Sequence, residues 1–384
     1  MLEDLAEKIK KIIAEKRHLD KNAVIGFDGF IDKIYRPISS QEDQDINYYK
    51  TINDFGERIK KAAGLSCDID IELESIQPGG NTPLFANSLG NLGINTDCIS
   101  PIDGYEEIFN KYMSKNCNIY SIGEPALSFV LEFFDGKIML GDTHTFKNID
   151  YNIIKKKVGD KFDAMLDNYE LISMVNWSHF NNMTLIWKEI INYLSQNLDK
   201  VNKKDQTLFI DLADSSSRSI KDIKEMLKTL KIFRSYYRVI ISLNENEAKD
   251  LGNKLMPGKF NHIISVGKYL VDQEYVDQVI IHPVAEAYLI NKTNTVKVSV
   301  LKVENPVLTV GGGDNFNAGF SWGILNDLSY QESLILGAVN AKLFVKEGLS
   351  PSINDLYNYL LKSKDTLEIT NIKKRGGKNG RSND

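Results

Sequence analysis

Cysteine is scarce in this 384-residue sequence: Cys67, Cys98 and Cys117 are an odd set spread far apart. That excludes a disulfide framework and fits a reducing cytoplasm. Long apolar runs are missing too, and nothing approaches the roughly 18 consecutive apolar residues of a membrane-spanning helix. The opening residues Met1 to Lys10 carry charges where a secretory leader needs an apolar stretch. Nor does positive charge dominate, since 47 basic and 52 acidic residues leave a net charge of −5. This speaks against a broad nucleic-acid or anionic-membrane surface. His18, His144, His179, His262 and His282 are scattered without zinc spacing. The sequence has no Gly-x-x-x-x-Gly-Lys-Ser/Thr run and no Gly-x-Ser-x-Gly elbow, which excludes a P-loop NTPase and an α/β hydrolase. A soluble cytoplasmic protein is expected.

What is present is a core-forming composition, 42% hydrophobic and 26% charged. Leu5, Ile9, Ile12 and Ile13 recur at helical spacing within residues 3–17. Short apolar strand patterns follow at 23–27, 96–100, 171–176, 207–212, 237–243, 278–282 and 286–291. Helical patterns at 84–92, 104–116, 183–197, 218–230, 245–252, 315–326 and 331–347 separate or follow them. Such alternation predicts a largely parallel sheet with helices on both faces. Residues 126–141 break the rhythm with two β-rich runs joined at Asp135-Gly136, a hairpin signal. That hairpin is expected in a small appended sheet built from about 27–50 and 118–146. The basic stretch 373–384 lacks apolar residues and is expected to be a disordered tail.

Chemistry concentrates in Val307-Leu-Thr-Val-Gly-Gly-Gly-Asp-Asn-Phe-Asn-Ala-Gly. Gly311, Gly312 and Gly313 let backbone N–H groups approach a ligand, and a following helix start favours an anion there. Asp314 would repel that anion. It either caps the helix or takes a proton from a hydroxyl that attacks a phosphate.

This run resembles the C-terminal signature of the ribokinase-like (PfkB) carbohydrate kinases, Asp-Thr-x-Gly-Ala-Gly-Asp-x-Phe-x-x-Gly in type. The resemblance covers about residues 23–360. It implies a three-layer α/β/α fold with a mainly parallel central sheet and a small β-sheet lid. Residues 1–372 would form one kinase domain, with pairing of two copies through the lid. By the same resemblance Asp314 is the general base, and Gly311, Gly312 and Gly313 form an anion hole for the γ-phosphoryl of Mg-ATP. Pro78-Gly-Gly-Asn81 resembles the sugar-contacting turn, placing Gly79, Gly80 and Asn81 at the substrate. Asn81 also reads as a helix N-cap. Asp28 and Asp32 follow the first strand, where relatives bind sugar hydroxyls, although Asp28-Gly29 also reads as a plain turn. Asn244-Glu-Asn-Glu247 matches the Asn-x-x-Glu motif, with Asn244 at the nucleotide and Glu247 reaching Mg²⁺ through water. Gly348 falls in the turn that closes over the nucleotide.

Two departures stand out. Leu308 replaces the usual acidic or polar residue, which argues against potassium activation. The stretch 279–288 lacks the glycines of the usual nucleotide loop. Arg218, after Asp211-Leu-Ala-Asp-Ser-Ser-Ser, is a candidate phosphate contact beside a more ordinary capping loop. The expected function is transfer of the γ-phosphoryl of ATP to a small sugar. A nucleoside kinase, an ADP-dependent sugar kinase and a non-catalytic sugar-binding protein are the alternatives.

Overall fold

The computed structural model describes residues 2–42, 45–197, 206–299, 303, 306–308, 310–363 and 369–373. The strands in chain order are β1 (Asn22–Gly26), β2 (Phe30–Glu42), β3 (Asp45–Tyr48), β4 (Ile71–Gly79) and β5 (Asn95–Ser100). Next come β6 (Cys117–Ser121), β7 (Ala126–Phe133), β8 (Gly136–Asp142), β9 (Leu171–Val175) and β10 (Thr207–Asp211). The last are β11 (Arg238–Leu243), β12 (Gln278–Ile281), β13 (Glu286–Asn291), β14 (Asn294–Ser299) and β15 (Ile369–Lys373).

Among the described residues, ten strands form the central sheet in the order β15-β14-β13-β12-β11-β10-β9-β1-β5-β6. Pairing is parallel from β12 through β6 and antiparallel from β12 to β15. Side-chain alternation explains why both faces are covered. Val24, Ile172, Leu208, Ile210, Val239 and Ile241 point into one core, packed by helices such as Met183–Gln196 and Ile220–Phe233. Ala23, Ile25, Leu171, Phe209, Ile240 and Ile280 point into the other, packed by Leu2–Ala14, Asn81–Asn91, Gly312–Leu325 and Tyr330–Glu347. The result is a three-layer α/β/α architecture. No helix among the described residues is long and apolar enough to cross a membrane.

A smaller sheet has the order β3-β2-β7-β8, with β4 also paired to β2. The hairpin at Asp135-Gly136 forms as β7 against β8. The boundaries differ from those expected. Cys117–Ser121 pairs with β5 in the central sheet, so residues 118–121 do not belong to the small one. In their place comes Ile71–Gly79, whose Ile-Glu-Leu-Glu-Ser stretch is exposed and lacks an apolar run. Helices at Ile52–Lys61, Tyr151–Val158, Lys161–Asn168, Ile263–Asp272 and Ile353–Lys362 also escaped the periodicity reading. Lys373 ends β15 and is therefore not the start of a tail, and 374–384 lie outside the described residues.

Strand order reverses at β1, which lies between β9 on one side and β5 on the other. Chain exits at the carboxyl ends of β1 and β9 then diverge and leave a crevice, the usual ligand position in such sheets. Asp28 follows β1, Asn176 follows β9 and Asp211 ends β10.

Candidate active site

Two helices begin at this edge. The first, Gly312–Leu325, starts earlier than the periodicity indicated. Gly311 is its N-cap in the left-handed region at φ 89°, and a Cβ there would lie 3.1 Å from the Phe344 ring. Gly312, Gly313 and Asp314 therefore form the first turn, where N–H groups precede the first intrahelical acceptor. Asp314 is not the cap. Its Oδ1 accepts from Asn81 Nδ2 at 3.0 Å, across the crevice. Thr309 of the motif lies outside the described residues.

The second helix, Asn81–Asn91, follows Gly79-Gly80. Gly80 has φ 93°, and a Cβ there would meet Asp28 Oδ2 at 2.9 Å. A Cβ on residue 79 would lie 2.5 Å from the Asp32 carboxyl carbon. Gly80 takes the N-cap position, so Asn81 is free to reach Asp314. Asp28 is fully buried and engaged: Oδ2 accepts from Asn81 N at 3.0 Å and Asn176 Nδ2 at 2.6 Å, and Oδ1 from Thr82 N at 2.8 Å. Its carboxylate thus closes a helix start, with both oxygens engaged. Asp32, also buried, lies on β2 opposite Ser128 of β7. Burial pushes its pKa up to about 6, with Ser128 and Lys137 pulling the other way.

On the other side of Asp314 lies a cavity of about 370 Å³. Its walls include Gly312, Gly313, Asn244, His282, Phe316 and Lys342. Asn244 and Glu247 form a capping box at the helix Glu245–Leu255. Glu247 N donates to Asn244 Oδ1 at 2.9 Å, and Glu247 Oε2 accepts from Asn244 N at 2.8 Å. Gly348 is not in the cavity wall. At φ 74° it ends the helix Tyr330–Glu347, its N–H bonded to Phe344 O at 2.7 Å. Arg218 is also occupied elsewhere, over the Trp177 ring at 4.2 Å and donating to Asn181 Oδ1 at 2.8 Å. Ser219 beside it caps the next helix, as the loop reading expected.

Several members were not singled out in the sequence. His282 stacks on Phe316 at 4.8 Å and is held well below the usual imidazole range, at about 4, by burial. Asp211 Oδ2 accepts from Asn317 Nδ2 at 2.7 Å, and Asn317 Oδ1 from the Ser242 hydroxyl at 2.7 Å. Asn317 is legible in hindsight as a polar residue on a helix buried all round. Asn176 and Ser242 carry no such signal.

The carboxylates crowd one another. Burial, then the charges of Asp211 and Asp28, hold Asp314 well above the usual carboxylate range. Asp211 is raised to about 6 by burial, and Glu247 to about 8 by burial and the Asp211 charge. Such a set suits a cation. Yet no group of three or more His, Cys, Asp or Glu side chains among the described residues is placed to hold a metal directly. A hydrated ion bound partly by substrate phosphates, as Mg²⁺ prefers, fits both facts.

The family model described as prokaryotic ketohexokinase matches residues 3–362. A ketohexokinase from Haloferax volcanii is 25% identical over 338 residues, covering 87% of this chain and 89% of its own. An Arabidopsis thaliana ribokinase complexed with ribose and ATP aligns with TM-score 0.60 at 15% identity, covering 89% of this chain and 99% of its own. An E. coli chain described as ribokinase II, in complex with ATP and Mg²⁺, aligns with TM-score 0.59 at 14% identity and the same coverages. Those two likenesses concern the fold, whereas the family match spans nearly the entire sequence. The chain therefore belongs to the prokaryotic ketohexokinase family of ribokinase-like (PfkB) carbohydrate kinases, and it is an enzyme of ATP-dependent phosphoryl transfer.

Proposed function

We propose that this kinase transfers the γ-phosphoryl of ATP to a hydroxyl of a ketohexose, with Asp314 as general base. The observation that carries the reading is the placement of a buried carboxylate in the first turn of Gly312–Leu325, between an open row of amides and the polar crevice. A ketohexose as acceptor is supported by the family and by the Haloferax relative.

Asn81 holds Oδ1 of Asp314, which leaves Oδ2 for the sugar hydroxyl. Oδ2 takes the proton, the hydroxyl oxygen bonds to the γ-phosphorus, and the bond to the β–γ bridging oxygen breaks to release ADP. Raised basicity suits the task, because a better proton acceptor deprotonates an alcohol more readily. The Gly312 and Gly313 amides stabilise charge on the moving group, while Asn244 lines the cavity that takes the nucleotide. Mg²⁺, when bound, neutralises phosphate charge, and Glu247 is the residue placed to meet its water shell. Asp32 accepts from sugar hydroxyls, and the small sheet closes over them as a lid that excludes water. Pairing of two copies through the lid belongs to the same reading, with Leu73, Ile76, Met139 and Leu140 exposed on β4 and β8. The unpaired Cys67, Cys98 and Cys117 suit a cytoplasmic setting.

The test is a phosphorylation screen of ketohexoses, aldoses and nucleosides with ATP and ADP as donors. Ketohexoses with ATP are expected to turn over fastest. Asp314→Asn should lower kcat by about 10²–10⁴, or roughly 3–5 kcal/mol, with folding unchanged. Near-normal turnover in that variant removes the general base.

A further inference from the structure

The hydrogen-bond relay that anchors Asp28 continues outward to a side chain unused in the scheme above. Asn176 sits at φ 59°, a conformation asparagine tolerates better than most residues. Its Nδ2 donates to Asp28 Oδ2 at 2.6 Å. A carboxylate needs a donor, so this bond fixes which end of the amide faces Asp28. Oδ1 then faces the other way, toward the His179 main-chain N at 3.4 Å and the His179 Nδ1 at 2.8 Å. An amide oxygen has no proton to give, so Nδ1 carries it. In the neutral ring Nε2 is left with its lone pair.

His179 is exposed three residues beyond Asn176, past the carboxyl end of β9, and no group among the described residues hydrogen-bonds its Nε2. An edge contact with Phe30, with centroids 6.2 Å apart and planes at 87°, holds the ring upright. Phe30 itself packs against Gly80 of the substrate turn, where a Cβ would meet its ring at 3.2 Å. A residue serving only to brace Asn176 would not need this arrangement, because its main-chain N–H already points at the same oxygen.

Resting on the sugar-kinase reading, we propose that His179 is a specificity-determining residue whose Nε2 accepts a hydrogen bond from a sugar hydroxyl other than the one phosphorylated. Among the described residues His179 and Asp314 share no direct hydrogen bond and are joined through Asn176, Asp28 and Asn81, so each is assigned its own hydroxyl. The sugar bridges the two ends of that relay.

The experiment takes the sugar turned over best by the unaltered enzyme, together with its monodeoxy and monofluoro analogues. Steady-state constants are measured for the unaltered protein, His179→Ala and His179→Gln. In His179→Ala the sugar KM should rise about tenfold, with kcat and the ATP KM within about twofold. One deoxy analogue should suffer the same loss in the unaltered enzyme and no further loss in His179→Ala. Its fluoro counterpart, which cannot donate, should behave like the deoxy sugar. Gln keeps an acceptor and should restore part of the affinity, which also guards against a folding defect in the alanine variant. Equal effects on the ATP KM, or losses that add for every deoxy sugar, would mean a purely structural role and overturn the proposal. If the unaltered enzyme turns over no sugar, the parent reading falls and takes this one with it.

Discussion

Asp32→Asn should stabilise the free enzyme, by an amount that depends on pH. The carboxyl group is buried against Gly79, and its pKa rises from 3.8 to about 6, chiefly through desolvation. A shift of about two units corresponds to about 3 kcal/mol of cost for the ionised form. Well below pH 3.8, folded and unfolded chains both hold the proton, so the cost is absent, and at pH 4 it is still small. Between about 4 and 6 only the unfolded chain releases it, and stability falls as pH rises. Above about 6 the full cost is present. Asparagine is neutral throughout, so its advantage is small at pH 4 and complete by pH 8. For 384 residues the unfolding entropy is ~0.8 kcal/mol/K, so ~3 kcal/mol becomes a Tm gain of about 4 °C. Desolvating the new amide makes that an upper bound. Thermal melts of both proteins without ligand, from pH 4 to pH 8, provide the assay. The variant should also bind sugar more weakly, since an amide offers fewer acceptor sites than a carboxylate. Equal melting at pH 8, or a gain just as large at pH 4, refutes the reasoning.

Two other perturbations act on Asp314 and Glu247. Asn81→Ala removes the donor that lowers the Asp314 pKa, so the acid limb of kcat/KM for the sugar should move to higher pH. An unmoved limb in a pH–rate profile would separate that limb from Asp314. Glu247→Gln retains an oxygen for the capping box with Asn244 but loses the charge, and the Mg²⁺ concentration for half-maximal rate should rise several-fold. An unchanged titration would place the metal away from this helix.

The layers of the fold were legible because each parallel strand alternates between two cores, as Val24 and Ile25 do. Gly311–Asp314 was legible because three consecutive glycines precede a helical pattern and a carboxylate follows them directly. The roles of Asp28 and Asp32 were not, since both follow Gly26 closely and only tertiary placement shows that Asp28 meets a helix while Asp32 lies over Gly79. Asn244 and Glu247 form a motif that is also an ordinary capping box, and one set of residues satisfies both descriptions. Asn176 and Asn317 meet carboxylates 148 and 106 residues away, distances at which no local pattern survives.

In the proposed mechanism, the two helix starts account for acceptor and donor lying on opposite sides of Asp314. Each helix offers partial positive charge and free amides, so each could hold an anion. In Asn81–Asn91 that capacity is spent: Asp28 takes the N–H groups of Asn81 and Thr82, Pro83 has none, and Leu84 bonds to Gly80 O. In Gly312–Leu325 the first-turn amides face the cavity with no carboxylate capping them. On that proposal a phosphate is drawn to one side and turned away from the other, where Asp32 and Asp314 would meet a neutral polyol. An Asp28→Asn variant would test this. It removes the charge that plugs the second helix start, so inorganic phosphate should begin to compete with the sugar as well as with ATP. Competition confined to ATP, in a variant that folds normally, would mean that the carboxylate of Asp28 does not set the polarity of the site.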